Sequence, residues 1–165
     1  MDVTGACDQI KIKKAEPGDA KIIQEIVRAA FKKYVKDAGI TEKINALTET
    51  IKDIKNDIRT KEVFIASFRG VPAGTIRVEI KPDNTAFITR FGVLPEYQNN
   101  GIGKALLNHA DKQLVSRGIK KVYLHTASRY RELICFYYNM GFYVDSTTKD
   151  RGYTRVLMVK EYFPG

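Results

Sequence analysis

The sequence predicts an α/β protein built on a mixed, mostly antiparallel twisted sheet with helices on both faces. Three observations carry that expectation. Strand-like and helix-like runs alternate, with tight turns joining the strands of the first half and helices separating those of the second. The stretch from Phe87 to Gly118 reads as a strand, a glycine-containing turn and an amphipathic helix. The 165 residues are 44% hydrophobic and 28% charged, an ordinary balance for one soluble domain whose core needs no disulfide. Residues 1–8 read as a loose tail and residues 9–165 as a single domain.

Gln9 to Ala15 alternates Ile10 and Ile12 with lysines, a first strand with one wet face. Pro17-Gly18-Asp19 opens a helix with Asp19 as its N-cap. Its apolar stripe is Ile22, Ile23, Ile26, Val27, Ala30, Phe31 and Tyr34, ending near Gly39. A second helix is expected from Thr41, on the seam Ile44, Leu47, Ile51, Ile54 and Ile58. Glu62 to Phe68 is a strand, Arg69-Gly70-Val71-Pro72 a hairpin turn and Ala73 to Ile80 the returning strand. Lys81-Pro82-Asp83-Asn84 turns the chain into the strand Phe87 to Val93, which Pro95 ends. Ile102, Ala105, Leu106, Ala110 and Leu114 share one face of the central helix, closed by Gly118. Lys121 to Thr126 is a short strand and Tyr130 to Met140 a short helix stopped at Gly141. Phe142 to Ser146 and Thr154 to Lys160 close the fold as a hairpin around Lys149-Asp150-Arg151-Gly152.

Between strand and central helix lie Gln98, Asn99, Asn100, Gly101, Ile102 and Gly103. The first amides of a helix have no partner inside it, and the helix dipole makes that end mildly positive. Such a turn is a ready site for a phosphate or pyrophosphate. The plainer alternative is that Gly101 and Gly103 only shape a tight turn. No Gly-Lys-Ser/Thr follows at the Walker spacing, and no third glycine with a distant acid completes a dinucleotide fingerprint. The spacing Gln-x-x-Gly-x-Gly, preceded by Val93-Leu94-Pro95-Glu96-Tyr97 and followed by Lys104-Ala105-Leu106-Leu107, resembles the acyl-CoA-binding signature of the GNAT superfamily of N-acetyltransferases. Phe136-Tyr137-Tyr138-Asn139-Met140-Gly141-Phe142 resembles the same family's Leu/Phe-Tyr-x-x-x-Gly-Phe segment. The resemblance runs from about Ile10 to Phe163 and is strongest from Phe87 to Phe142.

The resemblance implies a GNAT-like fold and transfer of an acetyl group from acetyl-CoA directly to a primary amine, with no acyl-enzyme. It implies that Phe91, Gly92 and Val93 offer backbone groups to the pantetheine arm, and that an amide near Val93 polarises the thioester carbonyl. The amides of Gln98, Asn99, Asn100, Gly101, Ile102, Gly103 and Lys104 would hold the pyrophosphate, with the Lys104 ammonium adding charge. Tyr137 would act as general acid on the departing thiolate, a role open to a phenol of ordinary pKa about 10. Outside the resemblance, Tyr137 is a core tyrosine with a polar tip and Lys104 a solvated lysine. Two departures stand out. Tyr130 occupies the position of an asparagine that contacts CoA in many members, and the strand Phe87 to Phe91 lacks the family's frequent glutamate. Glu79, on the adjacent strand, is the candidate base, against a plain reading as a solvated hairpin end beside Lys81. These departures set a rival expectation, a catalytically degenerate acyl-CoA sensor or interaction domain of the same fold. The loop Lys36 to Glu42 would overhang the acceptor.

The net charge of +9 is spread along the chain, with no basic run interleaved with aromatics, so nucleic acid is not an expected partner. It also disfavours polycationic acceptors such as polyamines, unless the pocket is locally acidic. Small amines, amino acids, peptide N-termini and lysine side chains remain as acceptors, and the family's frequent dimerisation leaves a homodimer open. His109 and His125 are accompanied by no cluster at ligand spacing, so no metal is expected. Cys7 and Cys135 stand at opposite ends with no disulfide expected, and Cys135 reads as a small buried residue. No apolar run reaches the ~20 residues of a membrane span, and no export signal opens the chain, so a cytoplasmic location is expected.

Overall fold

The computed structural model describes residues 9–162; the expected tail at residues 1–8 lies outside the described residues. Seven strands form one sheet: β1 (Ile10–Lys14), β2 (Glu62–Phe68), β3 (Val71–Ile80), β4 (Thr85–Val93), β5 (Lys121–Ala127), β6 (Tyr143–Thr148) and β7 (Arg155–Glu161). Their order is β1-β2-β3-β4-β5-β7-β6. Every neighbouring pair is antiparallel except β4 with β5. The helices are α1 (Ala20–Ala38), α2 (Ile51–Thr60), α3 (Ile102–Ser116) and α4 (Arg131–Asn139).

Both faces of the sheet are covered, which explains why β2 reads Val-Phe-Ile-Ala without polar interruption. Val63 and Ile65 point to α1 and α2, meeting Ile23, Val27, Ile54 and Ile58. Phe64 and Ala66 point the other way, into a core with Leu106, Leu107, Ala110 and Leu114 of α3 and Tyr137 of α4. The period-two alternation of one strand thus feeds two separate cores.

Local chemistry moves four expected features. The second helix starts at Ile51 rather than Thr41, because Thr50 and Asp53 form a reciprocal capping box at that point. Between residues 41 and 50 there is only a short helical turn, Asn45–Leu47, and Ile44 is apolar because it packs beneath α1. The Asp19 carboxylate accepts from the Glu16 amide at 2.8 Å, closing the turn Pro17–Asp19 instead of capping α1. The β2–β3 loop is only two residues long, Arg69 and Gly70, both with positive φ (50° and 83°), so Val71 and Pro72 already belong to β3. Cys135 is exposed. It lies two positions from buried Tyr137, the far side of a helix with 3.6 residues per turn.

One buried charge cluster joins these layers. Arg77 of β3 is fully buried and grips Glu49 with two nitrogens, at 2.5 and 2.9 Å, and Asp57 of α2 at 3.0 Å. Arg90 reaches the same Glu49 at 3.3 Å. Arg90 marks an irregularity: Thr75 faces Gly92 but Arg77 faces Thr89, so β4 carries one residue more than β3 there, and Arg90 adopts φ 49°. Such a bulge bends its strand. On the other side of β4, the ladder with β5 stops after Thr85–Lys121, Ala86–Val122 and Phe87–Tyr123. Beyond Phe87 the two strands part.

Candidate active site

The parted strands open a cleft of about 780 Å³. β4 lines it with Phe91, Gly92 and Val93, β5 with Leu124, His125 and Thr126, and α4 with Leu133, Phe136 and Tyr137. The first turn of α3 stands in its wall, and α1 contributes Phe31 and Tyr34. α1 comes this close because position 92 is glycine: a Cβ there would lie 2.7 Å from the Ala30 Cβ. A central strand missing its neighbour leaves backbone donors and acceptors that a ligand can pair with.

The turn before α3 is built to present amides. Gly101 takes φ 80°, a conformation that favours glycine, at the N-cap position. The first amide with an acceptor inside the helix is that of Ala105, donating to Gly101 at 3.0 Å. The amides of Ile102, Gly103 and Lys104 therefore have no intrahelical acceptor, and the positive end of the helix dipole lies with them. The Gln98 amide donates to Pro95 at 3.3 Å. Asn100 is not part of the cleft wall. Its side-chain amide donates to the carbonyls of Tyr97 and Gln98, at 3.0 and 3.3 Å, and pins the turn. Gln98, Asn99, Gly101, Ile102, Gly103 and Lys104 do line the cleft. A Cβ on Gly103 would touch the Phe91 ring at 3.4 Å, so that part of the wall is narrow.

Tyr137 is 5% exposed, its ring 5.5 Å from that of Phe136, 5.7 Å from Phe142 and 6.3 Å from Phe91. Burial pushes its phenol well above the ordinary 10.0, so it is protonated throughout the neutral range and is a hydrogen-bond donor there. Tyr138 turns outward, 51% exposed. Glu79 lines the cleft, with Lys81 at 3.0 Å and Lys61 at 4.0 Å from its carboxylate. Eleven sequence-derived candidates thus meet in one cleft, and Asn100 supports it from outside.

The structure adds residues that were not among the candidate site residues. Tyr34 accepts a hydrogen bond from the Ala127 amide at 2.7 Å, tying α1 to the end of β5. Tyr130 stacks on Tyr34, centroids 5.7 Å apart at 25°, and donates to Asp37 at 3.0 Å. The residue that departs from the family pattern is therefore built into the wall. His125 faces the cleft beside Phe87, 5.2 Å between ring centroids. Its signal was present in the strand alternation: Leu124 enters the core, so His125 points the other way.

Burial first, and then the nearby charge of Arg155, hold the His125 imidazole below its ordinary 6.5; burial does the same to His109, packed edge-on against Phe64. The unfolded chain binds these protons more readily, so their stabilising contribution is complete above pH 6.5 and is lost as the pH falls toward the depressed values. Melting temperature is expected to decline more steeply between pH 6.5 and 5 in the wild type than in a His109→Gln/His125→Gln variant, measured by calorimetry.

A family model described as "Acetyltransferase (GNAT) family" matches residues 23–142, and the chain belongs to that family. It is 29% identical over 118 residues to an uncharacterized N-acetyltransferase of Chlorobaculum tepidum, across 72% of this chain and 63% of that one. It thus spans less than two thirds of that relative's length. Over 148 residues it is 26% identical to the spermidine N(1)-acetyltransferase of Thermoplasma acidophilum, covering 84% of this chain and 91% of that protein. The crystal structure of PaiA N-acetyltransferase from Thermoplasma acidophilum, in complex with coenzyme A, matches at a TM-score of 0.81 and 26% identity, over 93% of this chain and 99% of that one. The ribosomal-protein-alanine N-acetyltransferase of Escherichia coli matches at 0.76 and 20% identity, over 94% and 96%, a likeness of fold alone. Among the described residues, no helix is long and apolar enough to cross a membrane, and no group of three or more His, Cys, Asp and Glu side chains is placed to hold a metal.

Proposed function

We propose that the chain transfers an acetyl group from acetyl-CoA directly to a primary amine. The observation that carries this is the parting of β4 and β5 after Phe87, which opens unpaired strand backbone between the first turn of α3 and Tyr137. The residues fit the group: free helix amides and Lys104 suit the pyrophosphate, and the edge of β4 at Phe91, Gly92 and Val93 suits an amide-bearing arm. Acetyl-CoA supplies the activated acyl carbon. The amine nitrogen forms the new C–N bond as the C–S bond breaks, and the proton lost by nitrogen balances the one gained by the thiol. The Val93 amide is the donor proposed for the carbonyl oxygen, and the Tyr137 hydroxyl for the departing sulfur. Glu79, Glu132 and His125 are the carboxylate and imidazole groups in the cleft able to take the amine's proton, directly or through water. The relative named for spermidine supports an amine acceptor in general.

Titration calorimetry of acetyl-CoA against wild type, Gly101→Asp and Gly101→Asn tests the binding half. Asp and Asn tolerate the left-handed conformation better than other side chains, and a Cβ at position 101 meets nothing within 4 Å, so both variants keep the turn. G101D is expected to weaken binding at least about tenfold, the effect of one like charge roughly 5 Å from a phosphate, while G101N binds much closer to wild type. Equal binding by all three rejects the pyrophosphate site. The lysines around Glu79 favour a second reading, an acyl-CoA-binding domain without turnover; binding with no thiol release across an amine panel is its signature.

A further inference from the structure

The charges lining the cleft are strongly unequal. Its two carboxylates are Glu79, paired with Lys81, and Glu132, against seven basic side chains. Lys33 and Arg90 are partnered by Asp37 and Glu49. Lys43 and Arg151 have no ion pair among the described residues. Arg155 is half-used: one terminal nitrogen reaches Asp150 at 3.2 Å, but its buried Nε has no acceptor. The three come from converging segments. A Cβ on Gly152 would lie 3.1 Å from the Glu42 Cγ, and Tyr153 packs in one cluster with Ile44. None of the three belongs to the α3 turn that presents its amides for a pyrophosphate.

We propose that the acceptor is an amine whose molecule also carries a carboxylate, seated against Arg155, Arg151 and Lys43. This rests on the acetyl-transfer reading above. Lys43 and Arg151 leave two cations at the cleft without an anion and the Arg155 guanidinium lines the same wall, and a carboxylate supplies charge-assisted acceptors in the planar geometry that arginine binds best. A polyamine would bring ammonium groups to the same surface and meet like charge, so the lining selects against it as well as for its opposite. That separates this chain from the spermidine acetyltransferase it partly resembles.

The test compares three amines of one chain length, δ-aminovalerate, pentylamine and cadaverine, with acetyl-CoA saturating and thiol release as the readout. The expected order of kcat/KM is carboxylate, then neutral, then cation, with at least about tenfold between first and last, as for charges roughly 6 Å from the amine's far end. Arg151 is exposed, so R151E leaves the core intact; it is expected to shrink that preference about tenfold. The peptides Gly-Asp-Gly and Gly-Lys-Gly, both amidated at the C-terminus so that only the aspartate peptide carries a carboxylate, distinguish a free acid from an acidic chain, and Gly-Asp-Gly ahead supports the proposal with a peptide as source. Cadaverine or Gly-Lys-Gly ahead overturns it and leaves acetyl transfer standing. An R151E enzyme with unchanged preference overturns it too. No thiol release with any of the five, while acetyl-CoA still binds, overturns the transfer reading and this one with it.

Discussion

Tyr137→Phe is expected to lower kcat by roughly 10²-fold or more, the range for loss of a positioned proton donor, while acetyl-CoA affinity changes little. The substitution removes one oxygen and keeps the ring that packs on Phe91, Phe136 and Phe142. Its effect therefore reports on the hydroxyl rather than on the core. Burial raises the phenol above its ordinary 10.0, so this donor stays loaded through the neutral and mildly alkaline range. An alkaline fall in kcat below pH 10 would then belong to another group. Steady-state kinetics, with acetyl-CoA titration as the companion measurement, decide the matter. A Y137F enzyme with wild-type kcat would reduce Tyr137 to packing.

The second large effect is on stability. Arg77→Met is expected to cost about 3–5 kcal/mol, because it leaves Glu49 buried without its main partner. For a chain of this size that is a fall of roughly 6–20 °C in melting temperature. Arg77→Met/Glu49→Leu is expected to recover part of the loss, since two apolar side chains leave no stranded charge between them. Thermal unfolding of the two variants tests both statements, and a drop below about 1 kcal/mol for R77M would show the cluster to be energetically idle. The cluster also bears on the cleft. Glu49 holds Arg90 at the β4 bulge, so loosening Arg77 is expected to loosen the strand that lines the site.

Much of the architecture was legible because two periodicities are written locally. The alternation in β1 and the broad stripes of α1 and α3 need no knowledge of the partner they pack against. The errors arose where one signal had two causes. Ile44 is apolar because it packs beneath α1 from a non-helical segment, and only the Thr50–Asp53 capping box shows where α2 begins. Asp19 has the right chemistry for a cap, but its carboxylate turns back to Glu16. Cys135 falls on the outer face of a short helix whose inner face is set by Tyr137.

The sequence by itself determined the order of strands and helices, the glycine turn before α3 and the family to which that turn belongs, because each depends on neighbours along the chain. Tertiary structure alone decided that β4 carries an extra residue at Arg90, that β4 and β5 separate after Phe87, and that Arg77 reaches back to Glu49, 28 positions away. It also decided that Lys43, Arg151 and Arg155, from distant segments, line one cleft. Register, burial and net field are properties of groups brought together by folding, and no local pattern of residue types encodes the distances on which they depend.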